Sequence, residues 1–503
     1  MSTSPPHLPV QLPAQLPIDP LRVVTLRDDR PRAQGRYVLY FTQVARRAEW
    51  HPGLDFAIAW ANALGLPVVV YEGLRPDYPH ASWRHHRFIL DGVRDFAQRL
   101  AARGIAHYFY LQPHKSLPGA KPVAMVQRLA QAAALVVTDD CPTFVVPQHN
   151  ARLQAALDCP LYAVDSVGVA PLRTFPKMVA AYALRPRLMR LVPGLLSQED
   201  LQLRPQHDSL TLQLDGGPEL LRGTTLPEEA SALDQLCAQV LPQLGVPPAP
   251  GIRGGRAAGL LRLQQFLRHG LPHYAERRNQ ADRDVTSNLS PYLHYGMLSA
   301  IEVARAAIAT TPAGLADGNV AAFVEELVVR RELAHNFCLH TPAHHSLSAL
   351  PDWAQQNLAR HAQDPRPVTY DLAQLEQAAT GDPLWNAIQT ELVEQGEPHG
   401  YLRMLWGKKI IEWAPTYEQA LSWMIYLNDK YAYDGRDANS YTGFLWCFGL
   451  HDRPFPGRPV FGVMRSMSSA STGKKAHADG YRARLIQART HTQIANNRQL
   501  SLL

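Results

Sequence analysis

Asp382–Gly449 reads DPLWNAIQTELVEQGEPHGYLRMLWGKKIIEWAPTYEQALSWMIYLNDKYAYDGRDANSYTGFLWCFG, and this stretch sets the character of the carboxy-terminal half. It holds five of the nine tryptophans: Trp385, Trp406, Trp413, Trp423 and Trp446. Between Arg403 and Trp413 apolar Met404, Trp406, Ile410, Ile411 and Trp413 alternate with Lys408, Lys409 and Glu412 at helical spacing. Trp406 and Trp413 are two turns apart, which puts both rings on one face roughly 10 Å apart along the axis. The run breaks at Pro415, restarts over Tyr417–Leu427 and ends in NDKYAYDGRD, rich in turn-forming Asp, Asn and Gly. By pattern alone this is a buried helical hairpin with aromatics in its core.

Working outward, nearly every segment from Ala258 onward is helix-patterned, and an all-α domain of this size can enclose a large flat ligand. Thr286–Gly296, TSNLSPYLHYG, places two hydroxyls ahead of a helix with Pro291 in its first turn. Such a start is an ordinary N-cap, or a cradle for phosphate. EELVVRREL puts Glu325, Glu326, Arg330, Arg331 and Glu332 on about two turns, spacing that suits surface ion pairs. NDKYAYDGRD is polar inside an apolar domain, a local mismatch that suggests a ligand.

The amino-terminal half has another rhythm. YVLYF, LPVVVYEGL, IAHYFYL, ALVVTDD and PLYAVDS are strand candidates, separated by helical stretches at Leu54–Leu64, Trp83–Arg103, Pro122–Ala134 and His149–Leu157. Near-continuously apolar strands alternating with helices predict a doubly wound parallel sheet, with any ligand beyond the carboxyl ends of its strands. Neither GxGxxG after the first strand nor GxxxxGKS/T is present, so dinucleotide and P-loop sites of those types are unsupported. Gly245–Gly259, GVPPAPGIRGGRAAG, reads as a boundary, and Gln198–Thr225 as a surface loop.

Composition is that of an ordinary globular protein, 46% hydrophobic and 19% charged. The net charge of +6 favours a polyanionic partner without identifying one. Cys141, Cys159, Cys237, Cys338 and Cys447 are scattered, with no zinc-like pair, so a reducing cytoplasm is expected and no metal ligands are assigned. No apolar run reaches membrane-spanning length. The Pro-rich start, MSTSPPHLPVQLPAQLPIDP, reads as disordered and lacks a signal-peptide pattern.

Taken together, DPLWNA, HGYLRMLWGKKIIEW, IYLNDKYAYDGRDANSY and RPVFG resemble the carboxy-terminal catalytic domain of class II cyclobutane-pyrimidine-dimer photolyases, of the photolyase/cryptochrome family. The resemblance is dense over residues 250–480 and loose before them. It implies a disordered lead-in (1–33), an α/β Rossmann-like antenna domain (34–166), a connector (167–250), an all-α FAD-binding domain (251–490) and a tail (491–503). It implies a monomer that binds FAD and damaged DNA and splits pyrimidine dimers in light. The same resemblance assigns Tyr274, Thr286, Ser287, Asn288, Leu289, Ser290, Arg331, Asn428, Asp434, Arg436 and Asp437 to FAD, with Arg331 on its phosphates. Asn428 would face the reactive flavin nitrogen, and Asp434, Arg436 and Asp437 would anchor the ribityl and isoalloxazine groups. Glu326, Arg330, Arg403, Met404, Trp446 and Arg458 are assigned to lesion and DNA, with Glu326 a buried carboxylate on the damaged base. Trp385, Trp406 and Trp413 match an electron relay in which Trp385 lies near the flavin, Trp406 in the middle and Trp413 toward the surface; Trp423 has no match and reads as core.

Two departures accompany the resemblance. DANSY stands where DPNGY is usual, so Ser440 replaces a glycine beside the flavin. The first strand–helix junction, YFTQVARRAEWHPGLDFAI, lacks the family's usual Arg and Asn-rich helix start, so a deazaflavin-type antenna is expected to bind poorly or not at all. Three alternatives stay open: a cryptochrome-like photoreceptor, repair of the (6-4) photoproduct with histidine help from His294, His335, His399 or His451, and a plain DNA-binding module.

Overall fold

The computed structural model describes residues 18–118, 124–212 and 220–500, the side chains of 491–500 excepted. Its amino-terminal half is a seven-stranded sheet: β1 (Val23–Arg27), β2 (Tyr37–Thr42), β3 (Val68–Leu74), β4 (Ala106–Leu111), β5 (Ala133–Asp140), β6 (Leu161–Asp165) and β7 (Leu221–Arg222). The order is β1-β6-β5-β2-β3-β4-β7, and the five inner strands run parallel. Those inner strands are buried on both faces, which explains their unbroken apolar runs. Helices α1 (Pro52–Leu64), α2 (Trp83–Ala101), α3 (Met125–Ala130) and α4 (Val146–Ala156) cover the sheet. His51 caps α1 by accepting from the Leu54 amide, ahead of Pro52 in the first turn.

Both sheet edges depart from expectation. Residues 23–27, placed in a disordered lead-in, form β1 and pair antiparallel with β6. The connector contributes β7, antiparallel to β4, as well as α5 (Ala181–Ser197) and α6 (Ala230–Val240). These short strands carry half-exposed side chains and gain their place by pairing with a core strand. Residues 1–17 of the lead-in lie outside the described residues.

The carboxy-terminal half is helical. It begins with α7 (Arg256–Gln265), α8 (Tyr274–Arg277), α9 (Ser290–His294), α10 (Ala300–Ile308), α11 (Gly318–Val324) and α12 (Arg331–Leu339). Then come α13 (Asp352–His361), α14 (Leu372–Glu376), α15 (Pro383–Gln395), α16 (Gly400–Trp413), α17 (Tyr417–Tyr431) and α18 (Ala438–Cys447). It closes with α19 (Ser469–Ala476) and α20 (Ala478–Leu500), the latter running through most of the segment set aside as a tail. Trp385, Trp406 and Trp413 sit in one apolar cluster drawn mainly from α12–α20, with Trp423 and Trp446 packed on its edge.

The halves are locked together by buried arginines. Arg84 on α2 donates to the carbonyls of Tyr431 (2.7 Å) and Val393 (2.8 Å), capping helix ends of the other half. Arg47 donates to the Gly296 carbonyl (3.0 Å) just past α9. Gly296 has φ +64° and an added Cβ would strike the Val44 carbonyl, so only glycine lets the halves approach here.

Candidate functional site

A cavity of about 500 Å³ opens between α9, α12, α16, α17 and α18. Tyr274, Thr286, Ser287, Asn288, Leu289, Ser290, Arg331, Asn428, Asp434 and Asp437 all line it, as do Glu326, Arg403, Met404 and Trp406. Two motifs about 140 residues apart in sequence therefore face one space. The 286–290 loop turns at Asn288, whose φ of 49° is left-handed, while Thr286 Oγ1 donates to Asn288 Oδ1 (3.0 Å). Tyr274 is held edge-on to Phe323 (5.4 Å), and burial pushes its phenol up to about 12.

On the opposite wall, Asn428 is buried and its Nδ2 donates to Asp429 Oδ1 (3.2 Å) and Ser440 Oγ (3.3 Å). Ser440 Oγ donates in turn to the Asp434 carbonyl (3.1 Å), so the serine of DANSY ties the amide to the polar loop. Arg403 pairs with Asp434 at 2.9 Å. Asp437 pairs with His294 Nδ1 at 3.1 Å. Removal from bulk water opposes ionisation of Asp437, but His294, with His335 and Arg331, holds its carboxyl well below the usual carboxylate range.

Glu326, Arg436 and Trp446 lie otherwise than expected, while Arg330, Arg331 and Arg458 keep positions open to their expected partners. Glu326, expected to be a buried carboxylate, is 42% exposed and pairs with Arg278 at 2.6 Å. It sits in a π-helical turn, Glu325–Arg330, whose extra residue re-aims the side chains ahead of α12. Arg331 does line the cavity, yet its guanidinium donates to the Val167 carbonyl (2.7 Å) of the other half. Arg436 has φ 67° and points away, with Nη2 donating to the Tyr295 hydroxyl (3.2 Å) and the guanidinium over Tyr78 and Phe144. Arg330 is on the surface, paired with Glu325 (3.1 Å). Trp446 is half-buried outside the cavity wall, over Lys408 (5.3 Å) and Arg465 (5.6 Å). Arg458 is exposed in a backbone bridge to Gly462.

The tryptophans are brought together in a different order from the one expected. Trp406 lines the cavity; Trp385 does not. The Trp385 indole nitrogen donates to the Trp406 carbonyl (3.0 Å), and its ring lies edge-on to Trp413 at 5.4 Å. The geometric sequence outward from the cavity is Trp406, Trp385, Trp413, all three buried. Trp406 is held by its own donation to Gln389 Oε1 (2.8 Å).

Glu397, Asn439, Phe444 and Cys447 also line the cavity without being assigned to it from sequence, and so does His294, named there only as a proton donor for the (6-4) alternative. His294 was available one turn beyond the TSNLS hydroxyls. Glu397 sits in a turn before α16 with no periodic signal.

A second cavity, about 540 Å³, lies beyond the carboxyl ends of β2–β5, where the strand order reverses. Phe41, Tyr71, Tyr110, Met125, Phe144, His149 and Arg436 line it. Leu293, His294, Arg331 and Asp437 line both cavities and so form the wall between them. Among the described residues no cluster of His, Cys, Asp and Glu could hold a metal ion, all five cysteines are free, and no helix is long and apolar enough to cross a membrane.

No model of a known protein family matches the chain. In the solved structures, a class III photolyase from Agrobacterium tumefaciens (TM-score 0.62, 16% identity, 90% of this chain and 87% of that one) shares the fold. So does a Synechocystis cryptochrome (TM-score 0.63, 15% identity, 89% and 88%). A Sulfolobus tokodaii photolyase solved with two FAD molecules (TM-score 0.60, 15% identity, 88% and 88%) has it as well. In sequence the chain is 34% identical to the deoxyribodipyrimidine photo-lyase of Potorous tridactylus, over 88% of this chain and 80% of that protein. It is 35% identical to that of Methanothermobacter thermautotrophicus, over 92% of this chain and 97% of that protein. With an α/β sheet domain, a helical domain and this extent of likeness, the chain belongs to the deoxyribodipyrimidine photo-lyase family.

Proposed function

We propose that the protein is a class II DNA photolyase that uses FAD and light to split cyclobutane pyrimidine dimers. The observation that carries this reading is one cavity on whose wall the 286–290 loop, Asn428, Glu326, Met404 and Trp406 all meet.

The residues present fit FAD. Thr286, Ser287 and Ser290 offer hydroxyls, and the free amides of a tight loop suit a diphosphate. Leu293, Leu392, Met404 and Phe444 supply apolar wall for a flat heterocycle, and Asn428 supplies a fixed amide at its edge. When bound and reduced, FAD supplies the excited electron that opens the cyclobutane ring and accepts it back afterwards.

The chain's own residues hold the reacting groups. Asn428 is oriented by Ser440 and Asp429, so its amide meets the cofactor in one pose. Glu326, steadied by Arg278, accepts a hydrogen bond from the damaged base, and Met404 packs against the lesion drawn out of the stack. Asp437, held ionised beside His294, keeps a carboxylate on the wall shared with the second cavity. Trp413, Trp385 and Trp406, in that order, would carry an electron inward to oxidised flavin. Arg330, Arg403 and Arg458 supply the basic surroundings that phosphates require.

One observation favours the cyclobutane dimer over the (6-4) photoproduct. The latter needs a histidine that gives up a proton at the lesion. His335 and His399 are both pushed down to about 4 by burial, His451 is also lowered by burial and bonded to the Val179 carbonyl (2.6 Å), and His294 is committed to Asp437. The distinguishing experiment offers reduced, FAD-loaded protein two oligonucleotides under blue light, one with each lesion. Loss of the cyclobutane dimer alone is expected. Repair of the (6-4) lesion would overturn the assignment, and repair of neither would favour the photoreceptor reading.

A further inference from the structure

Glu397 lies between α15 and α16 and faces the same cavity as Ser290 and Asn428. It makes no hydrogen bond or ion pair with any described residue. The arginines that reach it are engaged elsewhere. Arg403 donates to Asp434 (2.9 Å) and the Pro398 carbonyl (3.1 Å), and Arg262 to the Ser287 carbonyl (3.1 Å) and Asp284 (3.2 Å). The remaining charged or titratable groups that reach it are Asp434, Glu391, Tyr292 and Tyr433. Glu397 is half-buried, its carboxyl turned to the cavity; removal from bulk water there, and then the Asp434 charge, push the carboxyl up to about 8 against the pull of Arg262 and Arg403.

An ionised Glu397 would set another carboxylate beside Asp434 and Asp437 on the wall of a cavity proposed to hold a dinucleotide with two phosphates. Protonated, the same side chain presents a hydrogen-bond donor in place of a charge. We propose that Glu397 is a cofactor-binding residue whose protonated carboxyl donates a hydrogen bond to the bound flavin dinucleotide, so that losing the proton weakens capture. This rests on the flavin reading above.

The sign follows from linkage: the contribution is complete while the acid is protonated and is lost as pH rises through about 8. Lys408, pushed down to about 8 by burial, titrates in the same window, but its ammonium donates to the Cys447 carbonyl (2.6 Å) behind the wall. Glu397→Gln keeps the shape and a donor without titrating, and so separates the two. The test measures FAD affinity of flavin-stripped full-length protein by fluorescence quenching at about pH 6.5 and about pH 9.5. Wild type should bind about tenfold more weakly at the higher pH, the size of one hydrogen bond, and Glu397→Gln should hold within about twofold across the range. A flat wild-type profile overturns the proposal, as does a Glu397→Gln variant with the wild-type slope. Should that variant misfold, Lys408→Met takes its place: a wild-type slope that survives the loss of the lysine supports Glu397, and one that vanishes with it overturns the proposal. Protein that takes up no FAD at either pH defeats the flavin reading itself, and this inference with it.

Discussion

The two cavities differ little in size, about 500 and 540 Å³, and share four wall residues, yet they are built in opposite ways. The helical one is walled by hydroxyls, amides and carboxylates from contiguous motifs, 286–290 and 428–440, each carried at the end of a helix. The α/β one is lined by the segments that follow four strands, and it mixes aromatic rings with Gln43, Arg46, Arg75, Gln112, His149 and Arg152. In the helical wall Asn428, Ser440 and the Asp434 carbonyl form one fixed network that can orient a ligand, whereas the α/β wall brings its polar groups from several separate loops. The difference predicts that perturbing the helical cavity has large, separable effects, and perturbing the other small ones.

The largest effect is expected along the tryptophans. Trp406→Phe or Trp385→Phe should abolish photoreduction of oxidised flavin while repair by chemically reduced protein persists, because repair starts from flavin already reduced. Phe keeps most of the buried volume. Since Trp385 bridges Trp406 and Trp413, its loss should isolate Trp413 as completely as loss of Trp406 would. Normal photoreduction in both variants would break the relay assignment.

Next comes Asn428→Ala. It removes a buried amide that Asp429 and Ser440 hold, leaving both with unmet partners at a cost of about 1–3 kcal/mol. A fall in FAD affinity of about tenfold or more is expected by calorimetry. Unchanged affinity would mean that the polar network serves the fold alone.

Glu326→Ala and Trp446→Ala should lower the preference for dimer-containing over undamaged DNA by about tenfold, with undamaged binding nearly unchanged, in a salt-controlled titration. Equal losses on both substrates would make these residues structural. Trp446 is the sharper case because its ring covers buried Lys408 rather than the cavity.

The smallest effect concerns the α/β cavity. An added deazaflavin-type chromophore is expected to bind weakly or not at all, leaving no new blue absorption band. Gln43 and Val44 of the altered junction form part of that wall. A strong band with energy transfer to the flavin would show that the α/β wall, despite its altered junction, is as selective as the helical one.

The same contrast explains what could be read from the sequence. The inner strands were legible because burial on both faces demands unbroken apolar runs, and the two polar motifs because an apolar domain makes them conspicuous. Edge strands β1 and β7 were not, since their side chains are half-exposed and only pairing defines them. The order of the tryptophans was hidden because Trp385 arrives from a separate helix and enters between two residues that helical spacing makes neighbours. Arg436 sits in a motif that was recognised, but a left-handed backbone turns its side chain into the other half. Glu397 gave no periodic signal, and only the folded wall reveals it.

The most direct test of the central claim combines both ligands in one experiment. Protein loaded with FAD is reduced, its absorption spectrum recorded, and a dimer-containing oligonucleotide added under blue or near-ultraviolet light. Flavin bands together with light-dependent, catalytic loss of the dimer are the predicted result. Protein that stays colourless, or reduced flavoprotein that leaves every dimer intact, would contradict it.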